Sequence, residues 1–110
     1  MPNSQVMVLF LYPRPSDNTF RFNLEYYMQH HMPLAKINWG PMGMIGCIVA
    51  ANDKDQGHQA SDYAVIVSTI WESHQAWNTA QKDLVSALIT ADSPNFTNVT
   101  PIVVVGNVMG

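Results

Sequence analysis

Four stretches of the chain are dense in β-branched and aromatic residues, and two more carry apolar side chains at three- and four-residue steps. Val6 to Tyr12 is the first dense run, stopped by Pro13, and reads as a strand. Met44 to Ala51 is the second. Tyr63 to Trp71 is the third, alternating Tyr63, Val65, Val67, Thr69 and Trp71 against Ala64, Ile66, Ser68 and Ile70. Pro101 to Met109 is the fourth. Between the first two, Phe22 to about Ile37 places Leu24, Tyr27, Met28, His31 and Leu34 along one helical face. Pro33 should kink this helix, and Trp39-Gly40-Pro41 should end it. A second helix starts at His74 behind a Ser73 cap and breaks at Lys82-Asp83, with Asp83 capping Leu84 to Ala91. Pro13 to Arg21, Asn52 to Ser61 and Asp92 to Thr100 read as loops. The order β-α-β-β-α-β predicts an α+β, ferredoxin-like domain spanning residues 1–110. Its four-stranded antiparallel sheet would carry both helices on one face.

The strands are apolar on both sides. Val6, Val8, Phe10 and Tyr12 point one way, and Met7, Leu9 and Leu11 the other; Ile102, Val104 and Val108 oppose Val103, Val105 and Met109. Helices cover one face only. A face left to water should alternate in polar residues, and this one does not. A second copy of the sheet is the expected cover, giving a homodimer; the alternative is a loop or the C-terminal strand folded across it.

Composition narrows the function. Hydrophobic residues make up 47% and charged residues 12%, against about 25% charged in ordinary soluble domains, which excludes disorder. Five Lys and Arg against eight Asp and Glu leave a net charge of −3, so no nucleic acid partner is expected. The start is polar, and no apolar run approaches the roughly 18 residues of a membrane span, so no membrane partner is expected and the cytoplasm is the expected compartment. Cys47, the single cysteine, reads as an inert thiol in an apolar strand. The sequons at Asn95 and Asn98 read as chance matches.

Tyr26-Tyr27-Met28-Gln29-His30-His31-Met32-Pro33-Leu34-Ala35 resembles the first-helix signature of EthD-type proteins in the dimeric α/β-barrel superfamily. Ala91-Asp92-Ser93-Pro94-Asn95-Phe96-Thr97 resembles that family's segment before its last strand. The resemblance implies a ferredoxin-like subunit that pairs sheet to sheet into a barrel, with a small-molecule pocket between sheet and helices. It also implies a place among proteins associated with degradation of ethers and aromatics, or with cyclisation, dehydration or oxidation of aromatic polyketides.

His31 is the leading catalytic residue. It shares the core-facing stripe with Tyr27 and Leu34, and desolvation would keep its ring neutral and able to take a proton. The alternative is a structural histidine bonded to a backbone carbonyl. Tyr27 would donate to a substrate oxygen or orient His31, or be a core aromatic. Met28, Met32, Met42 and Met44, with Trp71 and Trp77, could line a pocket for a flat apolar molecule, with Asn78 as a polar contact; each is also an ordinary core or surface residue. Asp92 reads as a cap or turn former rather than an acid. The four histidines form no pair at ligand spacing with an acidic partner, so no metal is expected. His31 could in principle bind haem, a third and haem-dependent reading, but no basic residue is placed for the propionates, so no cofactor is expected. Two functions stay open. One is a cofactor-free enzyme that moves a proton on a hydrophobic aromatic substrate (a cyclase, dehydratase, isomerase or oxygen-using monooxygenase). The other is a non-catalytic small-molecule binder or accessory protein.

Overall fold

The computed structural model describes residues 4–52 and 63–110. Strand β1 (Val6–Pro13) is followed by α1 (Leu24–Tyr26), a π-helical turn (Tyr27–His31) and α2 (Met32–Trp39). Strands β2 (Met44–Ala51) and β3 (Tyr63–Trp71) come next, then α3 (His74–Lys82), α4 (Leu84–Ala91) and β4 (Ile102–Asn107). The sheet is antiparallel in the order β2-β3-β1-β4, so the architecture is α+β and ferredoxin-like. Most of the expected loop between β2 and β3 lies outside the described residues.

The helix caps follow the sequence. The Ser73 side chain accepts from the Ala76 amide, and the Asp83 side chain from that of Val85, each at 3.0 Å. The first helix is less regular than its stripe suggests. Pro33 has no amide hydrogen, and its ring crowds the carbonyl four residues back. The chain meets this by widening to a π turn just ahead of α2, which carries Pro33 in its first turn. Gly43 follows α2 at φ 120°, with the place of a Cβ only 2.8 Å from the Ala76 Cβ. Any side chain there would meet both strained backbone and α3.

The core lies between sheet and helices in two clusters. Trp39, Trp71 and Trp77 pack edge to face with centroids 5.2 to 5.9 Å apart, over Val6 and Val8. Tyr12, Phe22, Tyr27 and Phe96 form the second cluster, with Phe96 fully buried. Among the described residues, no helix covers the other face of the sheet. Met7, Leu9 and Leu11 on it stand opposite Ile70, Ser68 and Ile66 on one side and Gly106, Val104 and Ile102 on the other. Ile48, beside Ser68, is 72% exposed, and every residue of β4 is exposed.

Phe96 supports both the core and the segment before β4. Phe96→Ala should lower stability by about 3–5 kcal/mol. Urea unfolding measures this, and a loss under about 1 kcal/mol would mean the second cluster carries little of the fold.

Candidate functional site

Two loops that are distant in sequence are laced together beside the first helix. Asn23 donates its amide to the Phe96 carbonyl at 2.7 Å and accepts the Tyr26 amide on its side chain at 3.0 Å, starting the helix. Phe22 and Thr97 form an antiparallel bridge, and Thr97 Oγ1 donates to the Arg21 carbonyl at 2.8 Å. The Asn98 side chain accepts from the Arg21 amide at 3.0 Å and donates to the Thr19 carbonyl at 2.6 Å. The amides of both sequon asparagines are thus spent: Asn98 here, and Asn95 on Asp92.

This lacing brings His31 to Asp92. The His31 ring is buried, and its Nδ1 stands 3.0 Å from Asp92 Oδ2. The other carboxylate oxygen accepts from the Tyr26 hydroxyl at 2.7 Å and from Asn95 Nδ2 at 2.9 Å. Burial raises the Asp92 pKa, but the bonds from Asn95, Tyr26 and His31 outweigh it and hold the carboxyl below its ordinary range. An ionised carboxylate only accepts. Nδ1 therefore carries the imidazole proton, and Nε2 keeps a lone pair. Burial against Tyr27 at 5.0 Å and Phe96 at 4.5 Å lowers the His31 pKa, with Asp92 opposing in part. The Tyr26 phenol is raised, chiefly by its bond to Asp92, and stays protonated as a donor.

His31 lines a cavity of about 90 Å³ between the sheet and the helices. The wall draws on both aromatic clusters: Phe10, Trp39 and Met44 from the first, Tyr12, Tyr27 and Met32 from the second, with Thr90 and Ser93 also on it. No Asp, Glu, Lys or Arg is among the lining residues. The wall is thus largely aromatic and aliphatic around one imidazole.

Of the residues picked from sequence, the structure brings His31, Tyr27, Met32 and Met44 to this cavity, while Met42 packs against the first cluster. It does not bring the others. Met28 is 48% exposed on the far side of the π turn. Trp71 and Trp77 are buried in the first cluster, outside the cavity wall. Asn78 is exposed on α3 and accepts from Gln81 Nε2 at 3.2 Å. Asp92 does close α4, as a turn former would, and it also holds the imidazole. Cys47 is half-buried, and burial pushes its thiol pKa up. No group of three His, Cys, Asp or Glu side chains able to hold a metal occurs among the described residues, and no helix of the described residues is long and apolar enough to cross a membrane.

Solved structures share this fold across nearly the whole chain. An EthD-like protein from Ralstonia eutropha JMP134 superposes with a TM-score of 0.83 at 20% identity, covering 96% of this chain and 93% of that one. An ethyl tert-butyl ether D (EthD) family protein from Bacillus halodurans C-125 gives 0.70 at 19% identity, covering 96% and 99%. SnoaB, a cofactor-independent oxygenase from Streptomyces nogalater, gives 0.65 at 10% identity, covering 97% and 95%. No protein-family model matches the sequence, and no curated protein does. The fold is therefore the ferredoxin-like α+β fold of these EthD-like proteins, the group whose helix motif the sequence resembles.

The His31 shift has a sign that stability can report. Its folded pKa lies below the ordinary 6.5, so as pH falls through about 6.5 the unfolded chain takes up the proton first. Stability present at neutral pH is lost on that descent, and Asp92 adds a further loss below its ordinary 3.8. Urea unfolding should show lower stability at pH 5.5 than at 7.5, and His31→Gln should flatten that difference. An unchanged difference in the variant would place the titration elsewhere.

Proposed function

We propose that this protein is a cofactor-independent enzyme acting by general-base proton transfer on a hydrophobic, aromatic or polyketide-like small molecule. His31 is the base, and Asp92 orients it. The observation that carries this reading is the 3.0 Å contact of His31 Nδ1 with Asp92 beside a cavity without charged lining residues. Nε2 takes a proton from an acidic C–H or O–H group of the bound molecule, and the aromatic wall holds its plane. Tyr27 stacks on the imidazole at 29° and fixes its plane from one side. The anion so formed can cyclise, lose water or isomerise. In an electron-rich anthrone it can instead react with oxygen; SnoaB, which shares the fold, is a cofactor-independent oxygenase.

The test is turnover of a panel of anthrones, enolisable lactones and dihydroxylated aromatics. His31→Ala should lower kcat/KM by roughly a hundredfold or more while ligand affinity holds within about threefold. Activity within about threefold of the parent would remove His31 as the base. The base works only when neutral, so kcat/KM should fall as pH drops, with its midpoint below 6.5. Asp92→Asn removes the charge that raises His31. It should move that midpoint further down and lower kcat, and a midpoint that stays put would separate Asp92 from the base.

We also propose that two copies pair through the open sheet face, which leaves the cavity on the helix side of each subunit. The apolar open face of Met7, Leu9, Leu11, Ile66, Ile70 and Val104 supports it. The particle should sediment at twice the 12.3 kDa of one chain, and Leu9→Lys with Val104→Lys should return it to one. A parent that sediments singly at low micromolar concentration would overturn the pairing.

A further inference from the structure

Donors reach both oxygens of Asp92, but only one oxygen serves the imidazole. Oδ2 stands 3.0 Å from His31 Nδ1. Oδ1 accepts the Tyr26 hydroxyl at 2.7 Å and Asn95 Nδ2 at 2.9 Å. Neither Tyr26 nor Asn95 lines the cavity, so neither can touch a molecule bound there. Tyr26 is nevertheless firmly placed. The Asn23 side chain accepts its amide at 3.0 Å, and its ring lies tilted against His30 at 4.8 Å.

A carboxylate shares one negative charge between its two oxygens. Each donor on Oδ1 draws off part of it, and that part no longer pulls on the proton facing Oδ2. The Tyr26 and Asn95 bonds accordingly lower the Asp92 pKa, while the contact with Asp92 raises that of His31 against burial. Other groups around the ring leave this line of influence clear. Tyr12 on β1 and Tyr27 on the π turn share the cavity wall with His31 and are neutral phenols, Tyr12 pushed up to about 12 by burial and Tyr27 higher still. Cys47 on β2 is a thiol raised by burial, with the charge of Lys36 on α2 opposing. The Arg21 guanidinium donates to the Pro94 carbonyl at 3.1 Å, and Glu25 and His30 are exposed on the first helix. Among the described residues, Asp92 alone forms an ion-pair contact with His31.

We propose that Tyr26 is a positioning residue for the reaction, whose hydroxyl on Asp92 Oδ1 tempers the pull of the carboxylate on the His31 proton and so sets the pH range in which His31 serves as a base. The assignment rests on the general-base reading above. Asn95 assists on the same oxygen. The sign follows from the geometry. Removing Asp92's charge weakens the hold on the imidazolium, whereas removing Tyr26's hydroxyl strengthens it. The two substitutions therefore move His31 in opposite directions.

Nitrogen-15 NMR of the histidine rings, titrated in the whole protein, reads this directly, with His31→Gln identifying the signal. Tyr26→Phe should raise the His31 midpoint by roughly half a pH unit, about a threefold change in its protonation constant. The pH profile of kcat/KM should move up with it. Asp92→Asn should lower the midpoint, and in that background Tyr26→Phe should add no further shift. Asn95→Ala should raise the midpoint by a smaller amount, and it serves alone if Tyr26→Phe does not fold. An NMR midpoint that stays put or falls in Tyr26→Phe overturns the role of Tyr26 and leaves His31 standing as the base. A rise that persists in the Asp92→Asn background also overturns it, because the hydroxyl then acts by another route. A His31→Ala protein that keeps its activity removes the general-base reading, and with it any part of Tyr26 in the reaction, whatever the NMR midpoint does.

Discussion

One carboxylate organises the site. Asp92 receives three side chains from two separate parts of the chain: His31 and Tyr26 from the first helix, and Asn95 from the turn that follows α4. Each bond is charge-assisted, and together they keep the group ionised in a setting where burial works against the charge. An ionised Asp92 decides where the imidazole proton sits, and so which nitrogen is left as a base. Without that charge the preference for a proton on Nδ1 weakens.

The helix has to deliver His31 and Tyr26 to that carboxylate from positions five residues apart. An ordinary helix turns about 500° over five residues, which sends their side chains to different faces. The π turn has a wider repeat, and Tyr26 and His31 both reach Asp92 across it. Tyr27 stacks on His31 at 5.0 Å and Tyr26 lies tilted against His30 at 4.8 Å, each pair four residues apart, as neighbours on a helix surface are. Pro33, which withholds an amide hydrogen from the helix ladder, is thus part of how the site is built, although it touches no polar group in it.

The sheet serves two purposes on its two sides. Its helix side carries Tyr12, Val67 and Thr69 into the cavity wall, and packing there is aromatic and dense. Its other side presents Met7, Leu9, Leu11 and their apolar neighbours away from the helices. Because successive strand residues alternate in direction, one eight-residue strand supplies both surfaces without competition between them.

Much of the architecture was legible from local pattern. β2 and β3 fall where alternation and turn residues put them. The Ser73 and Asp83 caps depend only on neighbours two or three residues away, and the antiparallel order follows from the succession of elements. His31 and Tyr27 were legible for the same reason, since their spacing is a property of one helix. Met28, Trp77 and Asn78 show the limit. Helical spacing says which residues share a face, but not which face meets the cavity; Met28 turned outward, and Trp77 went to the other cluster.

What the sequence by itself determined is the set of elements, their order and a buried histidine beside a tyrosine, because these are set by interactions a few residues long. Only the tertiary structure decided that Asp92, 61 residues away, would hold that histidine, and that Tyr12 would share its cavity. Such meetings depend on how loops at opposite ends of the chain are laced through Asn23, Thr97 and Asn98. No local periodicity encodes a hydrogen bond between segments that become neighbours only when the sheet closes.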